Sequence, residues 1–206
     1  MPSVAHLTIF CTAALLLAIS PGPGMLYVLA RSLQGGRKVG FASSLGTALG
    51  GLCHVVAAAL GLSLVLAQSA LVFALVKYLG AAYLVYLGVK MLLAKDQDGL
   101  PLETGPAKGS PFWQGVLTEV LNPKTALFFL AFIPQFIDHA APLVPQFLLL
   151  GTISVTLNTS ADLAVVLATV PLSRRLRESA VWRRRQRRAT GAVLIGLGGY
   201  VAAGAD

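Results

Sequence analysis

Six stretches of this chain stay apolar for the length a bilayer requires, and that limits the fold more than any other feature. A hydrocarbon core of roughly 30 Å takes about 20 residues of helix to cross. Runs of that order occupy approximately 4–30, 39–66, 69–94, 112–137, 143–171 and 189–204. No charged residue precedes Arg31, and none lies between Lys38 and Lys77. With 56% hydrophobic and 12% charged residues, the chain reads as a polytopic helical membrane protein rather than a soluble domain. The first run lacks the positive start of a signal peptide and continues past any plausible cleavage point, so it reads as a retained span. Cys11 and Cys53 stand singly in apolar segments and read as small packing residues.

The basic residues orient these spans. Arg31, Arg37 and Lys38 follow the first; Lys90, Lys95 and Lys108 surround the third connection; eight arginines from Arg174 to Arg188 fill the fifth. These are 14 of the 16 basic residues, all in alternate connections. The positive-inside rule puts those connections in the cytoplasm and both termini outside. The run "RRLRESAVWRRRQRR" has the charge of a nucleic-acid footprint. Its place between two spans favours topology anchoring and anionic-lipid contact, and no nucleic-acid partner is expected.

The segment "AISPGPGMLYVLARS" (18–32) sets two prolines and two glycines inside the first span. Both residue types weaken helices, so a break at Ser20, Pro21, Gly22, Pro23 and Gly24 is expected. Span four carries a comparable break at Asn122, Pro123 and Lys124. Span two opens with Gly46-Thr47, and span five has Gly151-Thr152 in the matching place. The polar stretch 95–111 divides the spans three and three. The expected fold is all-α: six transmembrane helices as two inverted three-helix repeats (1–94 and 112–206), with helices one and four broken. Interrupted helices in matching positions of inverted repeats mark transporter binding sites. Backbone groups freed inside hydrocarbon must be satisfied by protein, water or ligand. Two simple packing kinks are the alternative.

Ser154, Asn158 and Asp162 recur every fourth residue, so they share one face of span five. An acid within a span faces a bundle interior or a water-filled path. Asp162 is a candidate for proton coupling or for a substrate ammonium group, unless it is a structural acid. Lys124 starts the second half of a broken helix, where a cation is unfavourable without a nearby anion. Asp162 or a substrate carboxylate would supply one; otherwise Lys124 snorkels to head groups. Glu119, one turn earlier, ranks below Asp162 and belongs near the cytoplasmic entrance. Ala42, Gly46, Gly50, His54 and Ala58 form a stripe that lets another helix approach, with His54 a packing residue or a proton relay. Gly80 and Gly88 with Tyr83 suggest a second such face, and Lys77 is expected to snorkel outward.

"SPGPG" in span one, "KYLGAAYLVYLGVKML" in span three and "LNPKTALFFLAFIPQFID" in span four resemble the LysE/RhtB family of amino-acid exporters. The similarity runs through the whole chain in order and spacing. It implies export of amino acids or related small amino compounds across the bacterial inner membrane, driven by the proton gradient. It also implies a central site at Ser20 to Gly24 with Asn122, Pro123 and Lys124. The expected partners are an amino-acid substrate, protons and membrane lipids, with a homo-oligomer open; no cofactor or metal is expected. A wider superfamily of similar layout includes thiol–disulfide electron carriers, which need paired cysteines in the broken helices, and metal-ion exporters, whereas His6, His54 and His139 are scattered. No GxxxxGK[ST] loop or nucleophile–base constellation suggests an ATP-driven pump or an enzyme. A non-transporting scaffold or receptor is the other reading, but it has no need of mid-membrane polar breaks.

Overall fold

A computed structural model describes residues 4–62, 70–93, 109–138, 140–178 and 180–203, and every regular element among them is helical. Helix α1 spans Val4–Ile19 and α2 spans Pro23–Ala57, with a π-helical turn at Ala58–Leu62. Helix α3 is Ala70–Leu93, α4 is Pro111–Val120 and α5 is Pro123–Leu127. The chain leaves α5 through a π turn at Phe128–Phe132 and a 3₁₀ turn at Ile133–Phe136. Helices α6 (Leu143–Glu178) and α7 (Ala180–Ala203) complete it.

Pro23–Gly61 and Leu143–Ala168 are each long and apolar enough to cross a membrane. The pair Pro111–Val120 and Pro123–Phe136, bent by 44°, adds a third if its two arms form one span. The connection expected after the first span shrinks to a kink inside α2. There Gly36 adopts φ +74° and ψ −172°, left-handed backbone that glycine takes without a Cβ penalty. The stretch 95–111 lies outside the described residues up to position 108, as does the end of the second predicted span. The predicted fifth connection is helical at every described position: α6 runs past 171 to Glu178, and α7 starts at Ala180 rather than 189. Arginine, alanine and glutamine are good helix formers, so this charged run extends its neighbours instead of looping between them.

Small residues set the helix approaches. A Cβ on Gly46 would run into the carbonyl oxygen of Phe112, and one on Gly50 would stand 2.8 Å from that of Val116. From the facing side, a Cβ on Gly115 would come 2.6 Å from the Ser43 carbonyl. The predicted stripe on α2 therefore does seat a helix, namely α4. Helices α3 and α7 cross at Gly88 and Gly191, where a Cβ on either would lie 2.6–2.7 Å from the other's carbonyl. Tyr83 is not part of that face: it is 39% exposed, and Ala81 and Leu84 are buried in its place. Three residues cover about 300° of a helix turn, so Tyr83 falls beside the stripe while Leu84 falls on it. Lys77 sits over the Tyr78 ring, 5.7 Å from its centroid.

An aromatic stack fills one end of the core. Phe10, Phe128, Phe132 and Phe136 are buried, and successive rings on the broken helix lie 5.0 Å apart, with Tyr200 5.8 Å from Phe132. Offset and tilted ring pairs of this kind add to their burial. They fix the second arm of the bent pair against α1 and α7.

Candidate functional site

Both predicted breaks are present, and they lie against each other. Helix α1 ends at Ile19, and α2 restarts at Pro23 after an extended Gly22 (φ −131°, ψ −179°). Helix α4 ends at Val120, and α5 restarts at Pro123 after Asn122. Each restart places proline at the first helical position, where its missing N–H costs nothing. Asn122 completes the second restart, its Oδ1 accepting from the Lys124 amide at 3.1 Å.

Lys124 joins the two breaks. Its Nζ donates to the carbonyls of Leu17 (2.9 Å) and Ser20 (2.7 Å), the open end of α1. Those carbonyls carry the negative end of the helix dipole. The electrostatic conflict of a cation at the start of α5 is thus resolved by backbone of the other break rather than by Asp162. Nor does Lys124 snorkel: it is 7% exposed. Glycine permits this contact, since a Cβ on Gly22 would stand 3.1 Å from the Lys124 Cδ and Nζ.

Glu119 spans the second break. Its carboxylate accepts from Asn122 Nδ2 (3.1 Å) and Thr125 Oγ1 (2.6 Å), and a Cβ on Gly24 would overlap Oε2. The His54 Nε2 lies 3.0 Å from the Glu119 carbonyl oxygen, and its ring stacks on Phe129. At 2% exposure Glu119 is interior, not a residue of the entrance. The short spacing Glu119-x-x-Asn122-x-Lys124-Thr125 put the signal in view; what hid its rank was the orientation of a side chain at a helix end.

A cavity of about 20 Å³ opens beside these groups. Its polar wall is Thr47, Glu119, Lys124, Thr125, Ser154 and Asn158, and its apolar wall includes Ala14, Phe128 and Phe129. That volume holds about one water molecule. Ser154 and Asn158 therefore face the site as their spacing predicted, but Asp162 does not line it. Asp162 is fully buried one turn further along α6, where Oδ2 accepts from Thr47 Oγ1 at 2.9 Å and Oδ1 has no partner. The sequence marks Thr47 only by its place after Gly46. The parallel with Gly151-Thr152 holds for the glycine, which packs on Val55 and Phe129, but not for Thr152, which is exposed. Among the described residues no three His, Cys, Asp or Glu side chains converge as metal ligands.

An all-helical membrane protein with two touching helix breaks and a small polar cavity between them has the build of a translocator. The chain belongs to the LysE type translocator family, whose model matches residues 15–204. It is 34% identical over 195 residues to the uncharacterized membrane protein YrhP of Bacillus subtilis, covering 90% of this chain and 92% of that one. An uncharacterized membrane protein of Pseudomonas aeruginosa is 37% identical over 180 residues, covering 84% and 80%. The homoserine/homoserine lactone efflux protein of Salmonella typhimurium is 31% identical over 168 residues, covering 81% and 78%. No solved structure matches the chain. Family and relatives make this chain a transporter, not an enzyme.

Proposed function

We propose that the chain exports amino acids or related small amino compounds across the bacterial inner membrane in exchange for protons. The observation that carries this reading is the pair Lys124 and Glu119 on the wall of one buried cavity. An ammonium has three donors, and two of those on Lys124 are taken by α1 carbonyls. The third is free for a substrate carboxylate. Glu119 accepts two hydrogen bonds and has lone pairs left for a substrate ammonium, with Asn158 and Ser154 beside it. A zwitterion matches both charges at once. The name of the Salmonella relative supports the same class of substrate.

One water's worth of space cannot hold an amino acid, so loading requires the helices to part. In the proposed cycle the two halves, 1–94 and 112–206 joined by 95–111, are inverted three-helix repeats that rock about the touching breaks. Cytoplasmic opening separates Tyr27 from the carbonyl of Pro111, now bonded at 2.7 Å, and Arg31 from the carbonyl of Gly109. Asp162 takes up the returning proton. The test is efflux of radiolabelled amino acids, homoserine included, from loaded vesicles carrying the protein under an imposed pH gradient. Gradient-dependent efflux of at least one compound is expected. Efflux no faster than from empty vesicles for the whole panel rejects the reading.

The same proposal places both termini outside. In a background with Cys11 and Cys53 replaced by alanine, cysteines near residues 3, 140 and 206 should react with an impermeant maleimide on whole cells. Cysteines near 36, 103 and 180 should react only after the membrane is opened. Cytoplasmic labelling at 206 would remove the sixth span.

A further inference from the structure

Asp162 is sealed from the cavity, yet one residue touches both. Among the described residues Thr47 alone lines the cavity and bonds Asp162. Its hydroxyl lies 2.9 Å from Asp162 Oδ2 and 2.9 Å from the carbonyl oxygen of Ser44. A threonine hydroxyl has a single proton and two lone pairs. It cannot donate to both neighbours, and the two arrangements open to it differ in what Asp162 must be. If Asp162 is ionised, Thr47 donates to it and leaves Ser44 without that bond. If Asp162 is protonated, its O–H donates to Thr47, and Thr47 passes its own proton to the Ser44 carbonyl. Two further atoms in this region, Asp162 Oδ1 and Ser44 Oγ, are buried without partners, so among the described residues Thr47 alone bonds the carboxyl.

Resting on the proposed export cycle, we infer that Thr47 is the positioning residue through which a substrate ammonium in the cavity expels the proton from Asp162. An ammonium donating to the Thr47 oxygen sets a positive charge one hydroxyl away from Asp162, which favours its carboxylate over its protonated form. Asp162 passes its proton to the Thr47 oxygen as Thr47 releases its own hydroxyl proton to water in the cavity, and the hydroxyl that remains donates to Asp162 Oδ2. Atoms and charge balance: a zwitterion of no net charge enters, one proton departs, and the substrate ammonium compensates the carboxylate left at Asp162. Binding of substrate and of proton thus oppose each other without sharing a site, which is the linkage antiport requires. The charges facing Asp162 from the packed elements are Glu119 on α4 and Lys124 on α5. Both also line the cavity and stay in place in the test below.

Purified protein in weakly buffered detergent solution, with a pH indicator dye, receives a mixture of ¹⁴C-labelled common L-amino acids and homoserine. Bound label and released protons are read on the same sample. Wild type should release protons in proportion to label bound, and Thr47→Ser should do the same. Thr47→Val, which keeps the shape and drops the hydroxyl, should bind label more weakly and release at least about fivefold fewer protons per amino acid bound. Thr47→Ala takes its place if the valine variant is not monodisperse. Normal release per bound label from Thr47→Val or Thr47→Ala overturns the role of Thr47. If Asp162→Asn is silent in that same experiment, the export reading survives. Normal release from Asp162→Asn overturns this inference and moves the proton to another carboxylate with the export reading intact, whereas no bound label in wild type overturns the export reading and this inference with it.

Discussion

Lys124→Met should cost most of the folded protein and all of the transport. The substitution keeps the length of the side chain and removes its charge and donors. The Ser20 carbonyl then loses the hydrogen bond that satisfies it at the end of α1, and Leu17 loses its shorter partner. A buried polar group left unpaired costs about 1–3 kcal/mol. The larger loss is electrostatic. Glu119 and Asp162 are the carboxylates acting on Lys124, and both are buried beside it. Removing the cation leaves Glu119 buried with no compensating charge, and a second buried anion whenever Asp162 gives up its proton. Breaking a buried pair from one side costs on the order of 3–5 kcal/mol, a large fraction of a typical folding free energy. The measurements are monodisperse recovery and thermal unfolding followed by tryptophan fluorescence. Lys124→Arg should fare little better, because the guanidinium is bulkier than the buried ammonium it replaces, and the lysine stem already lies 3.1 Å from where a Gly22 Cβ would stand. Adding Glu119→Gln to Lys124→Met should restore part of the stability, by a coupling of about 0.5–3 kcal/mol, without restoring efflux. Unchanged melting and efflux in Lys124→Met would remove this residue from the site.

The position of both breaks was legible in the sequence because proline, glycine and asparagine in an apolar run have few other uses. The seat for α4 on the Gly46–Gly50 stripe was legible for a similar reason: small residues at four-residue spacing leave a groove that something must fill. What Lys124 bonds to was not. Its partners are carbonyls more than a hundred positions away, and backbone acceptors leave no trace in residue identity. The charge conflict at the start of α5 showed that a partner must exist, yet it could not say which.

Asp162 failed differently. Spacing by four puts it on the face of Ser154 and Asn158, but four residues advance about 6 Å along the axis. The cavity is one water wide, so a residue one turn along the right face can still lie behind the wall. Nothing in the sequence marks Thr47 as a site residue, because a hydroxyl in a helix has an ordinary resting state, bonded to its own backbone as Ser43 is to Val39. Only the depth of its neighbour, an acid at 0% exposure, gives that hydroxyl a second task. Glu119 was seen and misplaced, since the sequence shows how far a residue stands from a break but not whether it folds back across it.

Asp162→Asn is expected to give the opposite result to Lys124→Met: normal folding and no dependence of export on the pH gradient. An asparagine matches the neutral, proton-loaded state of Asp162, so Lys124 and Glu119 still balance each other. The amide oxygen can still accept from Thr47, and the new NH₂ falls where Oδ1 now has no partner. Removing an ionisable group from so dry a place relieves a desolvation cost, so melting should hold or rise. Transport separates the two roles open to this acid. A carboxyl that carries the proton predicts that uphill efflux driven by an imposed pH gradient disappears, while counterflow of labelled against unlabelled substrate, which moves no net proton, continues. A structural acid predicts less folded protein, with the remainder responding to pH as wild type does. The measurement is paired efflux and counterflow from proteoliposomes holding equal amounts of wild-type and variant protein. Folded Asp162→Asn protein that still pumps on the gradient would sink the assignment. The proton would then have to be sought on Glu119, the remaining carboxylate in contact with the cavity, and Glu119→Gln would be the variant that loses the gradient instead.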